Sequence, residues 1–282
     1  MRCTKKWMIA IVWLKVFLFT SCAPTKTIHS PARSSTLTGS GFYKIAAGYN
    51  WQQRDSLAVS EILKGNIPNL LKKFVPVNVQ TFDSAKNHYI HATFFVARDY
   101  LSVGNDNDWA RINISPMAAQ KIADSLDCFL PTKKMVNDIY QAATEKLEPI
   151  PMYAYRDSSP TMYQHHLIIE GQRKKQKASR HATQGLIAGI KKDIVISDKL
   201  VHNSKPGHVA IYGWHLLNGK PIQPLYTGHI NSWVDYSQGT RLVYQLIKLG
   251  RNWMNYKDVL KDPVLRRLLC DEESCDFYKY DY

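Results

Sequence analysis

Seven of the ten histidines lie between His165 and His229, and the last three, His208, His215 and His229, are interleaved with Gln223, Asp235, Ser237 and Arg241. Imidazoles pass protons near neutral pH, carboxylates and side-chain amides orient them, and a guanidinium steadies developing negative charge. Such groups at strand ends and turns point to chemistry more than to packing. The same three histidines, with Asp235 as fourth or outer ligand, could hold zinc and activate a bound water. Zinc belongs to that reading alone, because the chain has no His-Glu-x-x-His and no cysteine pair of metal type; otherwise no cofactor is expected.

The five cysteines divide by context. Arg2, Lys5 and Lys6 precede an apolar run from Trp7 to Phe19, broken once by Lys15, and Phe19-Thr20-Ser21-Cys22 follows. A positive start, a run shorter than a membrane span and small residues before a cysteine describe an export leader. The arrangement resembles a bacterial lipobox, with Phe19 where that motif usually carries Leu. The resemblance implies removal of residues 1–21, acylation of Cys22, anchoring to membrane lipid and a body in the cell envelope, facing the periplasm or the exterior. Cys270 and Cys275 enclose Asp271 to Ser274 and are placed to close a disulfide in an oxidising compartment. Cys128 is then left as a free thiol.

The strand-like segments Lys192 to Ile196, His208 to Gly213 and Asn218 to Gln223 resemble the strand set of NlpC-type cell-wall cysteine peptidases. The resemblance covers about thirty residues. It implies a hydrolase acting on peptidoglycan or a related envelope polymer, with Cys128 as nucleophile, His208 as general base and Gln223 orienting the imidazole. The family's Ser-Gly after the cysteine is replaced by Phe129-Leu130, and Cys128 stands four residues ahead of the helix cap at Thr132. A shorter stretch, Ser237 to Leu242, is similar to the L,D-transpeptidase signature, with Thr240 where the cysteine belongs.

A non-catalytic reading stands beside these. Trp214, Tyr226, Trp233, Tyr236 and Tyr244 accompany the histidines. If exposed on a basic sheet, they would form a platform for sugar rings or a partner lipoprotein. Net charge falls from +14 to +10 when the four basic residues of the leader are removed. Such a balance favours an acidic glycan or lipid headgroups. The densest basic stretch, Arg173, Lys174, Lys175, Lys177 and Arg180, reads as a solvated loop, and no nucleic-acid motif accompanies it.

The elements that must position these groups are punctuated clearly. Ala23 to Ser40, rich in Ser, Thr and Pro, reads as a flexible tether over 22–40, followed by one domain over 41–282 with possible lobes at 41–157 and 158–282. Asp55 to Lys64 and Ile67 to Phe74 are expected as helices. Val77 to Phe82, His88 to Ala97, Tyr100 to Val103 and Trp109 to Ile114 are expected as strands, with a turn at Asn105 to Asp108. Ser115-Pro116, Thr132 and Ser159-Pro160 carry helix-start chemistry. The later half reads as strands around an Asn218-Gly219 hairpin, closed by a helix from Tyr256 to Leu269 bent at Pro263. The class is α+β, with helices mainly in the first half and an antiparallel sheet in the second.

Overall fold

In the computed structural model of this chain, the described residues are 26–179, 185–202 and 206–282. The leader and Cys22 lie outside them. The described helices and strands, in chain order, are α1 (Gly39–Ala46), α2 (Trp51–Leu63), α3 (Asn69–Lys72), β1 (Phe74–Asp83) and β2 (His88–Ala97). Then come β3 (Ser102–Gly104), β4 (Trp109–Arg111), α4 (Pro116–Ser125), β5 (Cys128–Phe129), α5 (Lys133–Ala142), β6 (Glu145–Lys146) and α6 (Ser159–Ser179). The later part contains β7 (Ile187–Ala188), β8 (Lys192–Val195), α7 (Lys199–His202), β9 (His208–His215) and β10 (Pro221–Ile230). It closes with β11 (Gln238–Gly239), β12 (Val243–Tyr244), β13 (Leu246–Leu249), β14 (Asn252–Asn255) and α8 (Tyr256–Lys261).

The expected caps are formed. Ser115 accepts the Ala118 N–H at the start of α4, Thr132 accepts the Met135 N–H at the start of α5, and Asn50 and Gln53 make a reciprocal capping box on α2. Asn105 Oδ1 takes the N–H groups of Asn107 and Asp108, which makes the expected turn. The Asn218-Gly219 hairpin is present, with Gly219 at φ +88 supplying a backbone conformation that side chains resist. The helix expected over 256–269 stops at Lys261, and a 3₁₀ turn, Leu265–Leu268, follows Pro263. Only Asn69–Lys72 of the helix expected from Ile67 is helical, because Phe74 is already paired to Ala97 in the β1–β2 hairpin.

The molecule is α+β. One sheet runs β14-β13-β2-β12-β5 with β1 also on β2; a second runs β10-β9-β8-β11, antiparallel except for the parallel β8–β11 pair. The larger sheet takes β1, β2 and β5 from the first half and β12, β13 and β14 from the second. The lobe division expected at 157 is therefore not a boundary: a single hydrophobic cluster spans Phe42, Ile62, Phe94, Phe129, Val209 and Val243. Phe129 stacks on Tyr256 at 3.9 Å, joining β5 to α8. Burial of each such side chain stabilises the fold by about 1.5–3 kcal/mol.

The expected tether is also corrected from residue 26 onward. Ile28 is buried and its N–H donates to Lys72 O, Lys26 O accepts from Phe74, and Ser34 N–H donates to Lys64 O. Thr38 caps α1, a helix not expected from the sequence, whose Ser40 is held by the Asp108 carboxylate. The Ser- and Pro-rich composition signals missing apolar periodicity, and here backbone pairing to the domain replaces it. Cys270 and Cys275 are joined as expected. Among the described residues, no helix is long and apolar enough to cross a membrane.

Candidate functional site

The cysteine-peptidase arrangement is not assembled. Cys128 is buried in β5, paired across to Tyr244 in the larger sheet, and its thiol donates to the Leu126 carbonyl at 3.2 Å. Burial, reinforced by the Asp127 charge, pushes that thiol well above its ordinary range, the opposite of what a nucleophile needs. His208 opens β9 in the other sheet, half-buried, with Nδ1 donating to Pro206 O. Gln223 cannot orient it: in the β9–β10 register Gln223 faces Gly213, whereas His208 faces Ile230. Five strand residues, on the order of 16 Å, separate those positions.

The zinc set does not converge either. His215 lies seven residues beyond His208 on β9, roughly 20 Å along the strand. His215 is buried, stacked on Tyr140 at 4.5 Å, with Nε2 donating to Asn137 Oδ1, and burial pushes its pKa down to about 4. No group of three or more His, Cys, Asp or Glu placed to hold a metal occurs among the described residues.

Arg241 is a cross-link rather than a reacting group. Its guanidinium donates to Ala97 O at the end of β2 and to Ile187 O in β7, lies 3.6 Å from Asp193 Oδ1 in β8, and covers the Tyr100 ring. Thr240 is fully buried, so the transpeptidase likeness has no open nucleophile. The basic stretch is corrected in part: Arg173 is buried on α6 between Glu145 and Glu170.

His229, Asp235 and their surroundings are a different matter. Asp235 Oδ1 accepts from both the N–H and the hydroxyl of Ser237, and Oδ2 accepts from Arg156 at 2.9 Å with Lys192 at 3.9 Å. Burial would raise this carboxyl, but Lys192, Ser237 and Arg156 outweigh it and hold it ionised, below its usual range. His229, half-buried on β10, is pushed down chiefly by burial, then by Lys192 and Arg156 against Asp235, so it is neutral at pH 7. Its ring stacks on Trp233 at 6.1 Å.

Trp233 leads into a cavity of about 420 Å³ where the starts of α2 and α6 meet the loop after β10. Trp51, Arg54, Ser159, Ile230, Ser232 and Trp233 contribute to its wall. The α2 start is closed by its own capping box, and α6, a helix of 21 residues, is capped by Ser158, whose Oγ accepts the Thr161 N–H, with its positive dipole end on the cavity side. Arg54 is the decisive group. It is only 3% exposed, and its buried Nε has no hydrogen-bond partner among the described residues; the carboxylate oxygen Asp55 Oδ1 is 4.0 Å from Nε. Burial pulls its pKa down, with Asp55, Tyr43 and Asp157 opposing, but a guanidinium stays charged at any physiological pH.

A buried guanidinium nitrogen with no hydrogen-bond acceptor is costly unless something else supplies one. Together the helix start, the guanidinium and the indole walls can hold an anionic group attached to a ring. Sequence reasoning reached Trp233, His229 and Asp235 but missed Arg54. Its signal was faint: Asn50-x-x-Gln53 marks a helix start, and nothing in that motif shows which way the next side chain turns. No protein-family model matches the chain, and no curated protein or solved structure matches it.

Proposed function

We propose that this chain is an envelope-anchored lipoprotein that binds an acidic glycan, with a carboxylated sugar seated in the cavity at Arg54. The Arg54 guanidinium, with its buried Nε lacking a hydrogen-bond partner among the described residues, carries the reading, since a carboxylate is the planar acceptor such a fork matches. Trp51 and Trp233 supply apolar faces for the sugar ring, and Ser159, Ser232 and Asp157 supply hydroxyl and carboxylate partners for its hydroxyl groups. The net positive charge of the mature chain favours the same ligand class. The leader ending in Cys22 supports anchoring to membrane lipid. Turnover is not part of the reading, because Cys128, the one free thiol among the described residues, is sealed and the residues meant to activate it lie elsewhere.

The test pairs two readouts on wild type and Arg54→Met. Calorimetric titration with oligogalacturonates and with peptide-stripped glycan strands is expected to show binding to wild type, weakened by on the order of 10- to 100-fold in the variant. Neutral chito-oligosaccharides are the control. The variant leaves the buried Asp55 carboxylate, 4.0 Å from Nε, without its charge partner, so a lower melting temperature is expected and the titrations are run well below it. Absence of acidic-sugar binding by wild type, or equal binding by the variant, would overturn the reading. Anchoring is checked separately, by palmitate incorporation that disappears in Cys22→Ser.

A further inference from the structure

We infer that the glycan is held as an extended chain, with the units beyond the Arg54 cavity lying along the outer face of β10 on Tyr226 and His229. This rests on the acidic-glycan reading and adds the path of the chain. β10 is an edge strand of the smaller sheet, and Ile222, Tyr226 and Ile230 are exposed on it at 42%, 44% and 56%. The Tyr226 ring lies over Gly228: a Cβ at Gly228 would sit 2.1 Å from the Tyr226 hydroxyl. The missing side chain thus lets the ring lie down along the strand. Tyr226 then meets His229 edge-on at 5.0 Å, and His229 stacks on Trp233 at 6.1 Å. Ile230 and Trp233 are themselves cavity wall, so the row of rings runs without a break into the Arg54 site.

The occupant of this surface is a glycan and not a second copy adding a strand. The β9–β10 register shifts between Gln223 and Tyr226 and again between Tyr226 and His229, and Pro221 and Pro224 remove two N–H donors. Bulges and prolines of this kind blunt an edge against strand pairing while leaving its face available. Tyr226, exposed and laid along the strand, offers one flat face to a pyranose, and His229 stands edge-on beside it, stacked on Trp233 towards the cavity. The positive charge beside them, Lys192 and Arg156 around Asp235, keeps the approach favourable to an acidic chain.

The experiment is a length series of oligogalacturonates, from monomer to hexamer, titrated into wild type and Tyr226→Ala. Affinity for wild type is expected to rise with length, by on the order of 10-fold overall. Tyr226→Ala is expected to bind the monomer as wild type does and to lose most of that rise. Gly228→Val, which lifts the tyrosine ring from the strand, is expected to match it, with both variants keeping the wild-type melting temperature to within a few degrees. Monomer binding that depends on Arg54 but shows no length dependence, or a hexamer bound equally well by Tyr226→Ala, would overturn the extended path alone. Loss of all Arg54-dependent binding would remove the underlying reading instead.

Discussion

Arg111 grips Asp99 with two parallel hydrogen bonds, Nη2 to Oδ2 at 2.6 Å and Nε to Oδ1 at 2.9 Å, and neither side chain is exposed. Glu170 on α6 takes the remaining side of the same guanidinium at 2.9 Å. Three separate segments are thereby tied together. Exchanging such a pair for apolar residues is often neutral, but deleting one partner strands the other, at about 3–5 kcal/mol. Asp99→Asn is therefore expected to lower the urea unfolding free energy by about that amount. A loss under ~1 kcal/mol would show the pair to be incidental.

Acid should unfold the protein in two stages. Burial holds His215 neutral in the fold, with its pKa down at about 4, and does the same to His165 and His166, at about 2 and about 3. The unfolded chain protonates these rings near 6.5, so it gains protons first and stability falls as pH drops below that value. His215 alone contributes roughly 3 kcal/mol to the loss by pH 4. Asp99 adds a later stage: burial would raise its carboxyl, but Arg111, Arg173 and Arg241 outweigh it and hold it far below the usual range. Its stabilisation is complete above the unfolded pKa near 3.9 and is lost below it. Denaturant melts from pH 8 to 3 check this, and His215→Gln should flatten the upper stage.

Cys128 should behave as a core side chain. In the native protein, a thiol reagent such as DTNB is expected to leave it unlabelled at pH 8, with one equivalent reacting only in denaturant. Cys128→Ala should leave glycan binding unchanged and cost a few kcal/mol at most. Rapid labelling of folded protein would contradict its burial.

The Cys270–Cys275 bond closes a short ring beside Asp198 and Lys133, where Glu272 takes the Ser197 hydroxyl and Asp271 meets Lys133 at 2.9 Å. Loop-closure entropy for so short a ring is about 2 kcal/mol. A scan with reductant should lower the melting temperature by a few degrees and leave sugar binding at Arg54 intact. An unchanged melting temperature would mean that the surrounding ion pairs alone hold the loop.

Local signals in the chain were read well where a few neighbouring residues decide the outcome. Ser115 and Thr132 start helices because a side-chain oxygen acts within one turn, and Ser159-Pro160 opens α6 directly after Ser158, whose Oγ caps it. Asn218-Gly219 turns a hairpin for the same local reason. The failures share one cause as well. Residues 26–38 look like a linker because their order comes from hydrogen bonds to Lys64, Lys72 and Phe74, far along the chain. Cys128 and His208 were matched by type, although sheet pairing puts them in different sheets.

By itself, then, the sequence determined the α+β class, the helix starts, the 270–275 bridge and the aromatic company of His229 and Asp235, all set by composition, periodicity or contacts a few residues long. Only the tertiary structure decided which polar groups meet. It sealed Cys128, turned Arg241 into a strut, and brought Arg54, Ser159 and Trp233 to one cavity from three distant places in the chain. The physical reason is that burial and charge pairing depend on distance in space. A buried guanidinium nitrogen without an acceptor is visible only once every neighbour has been placed.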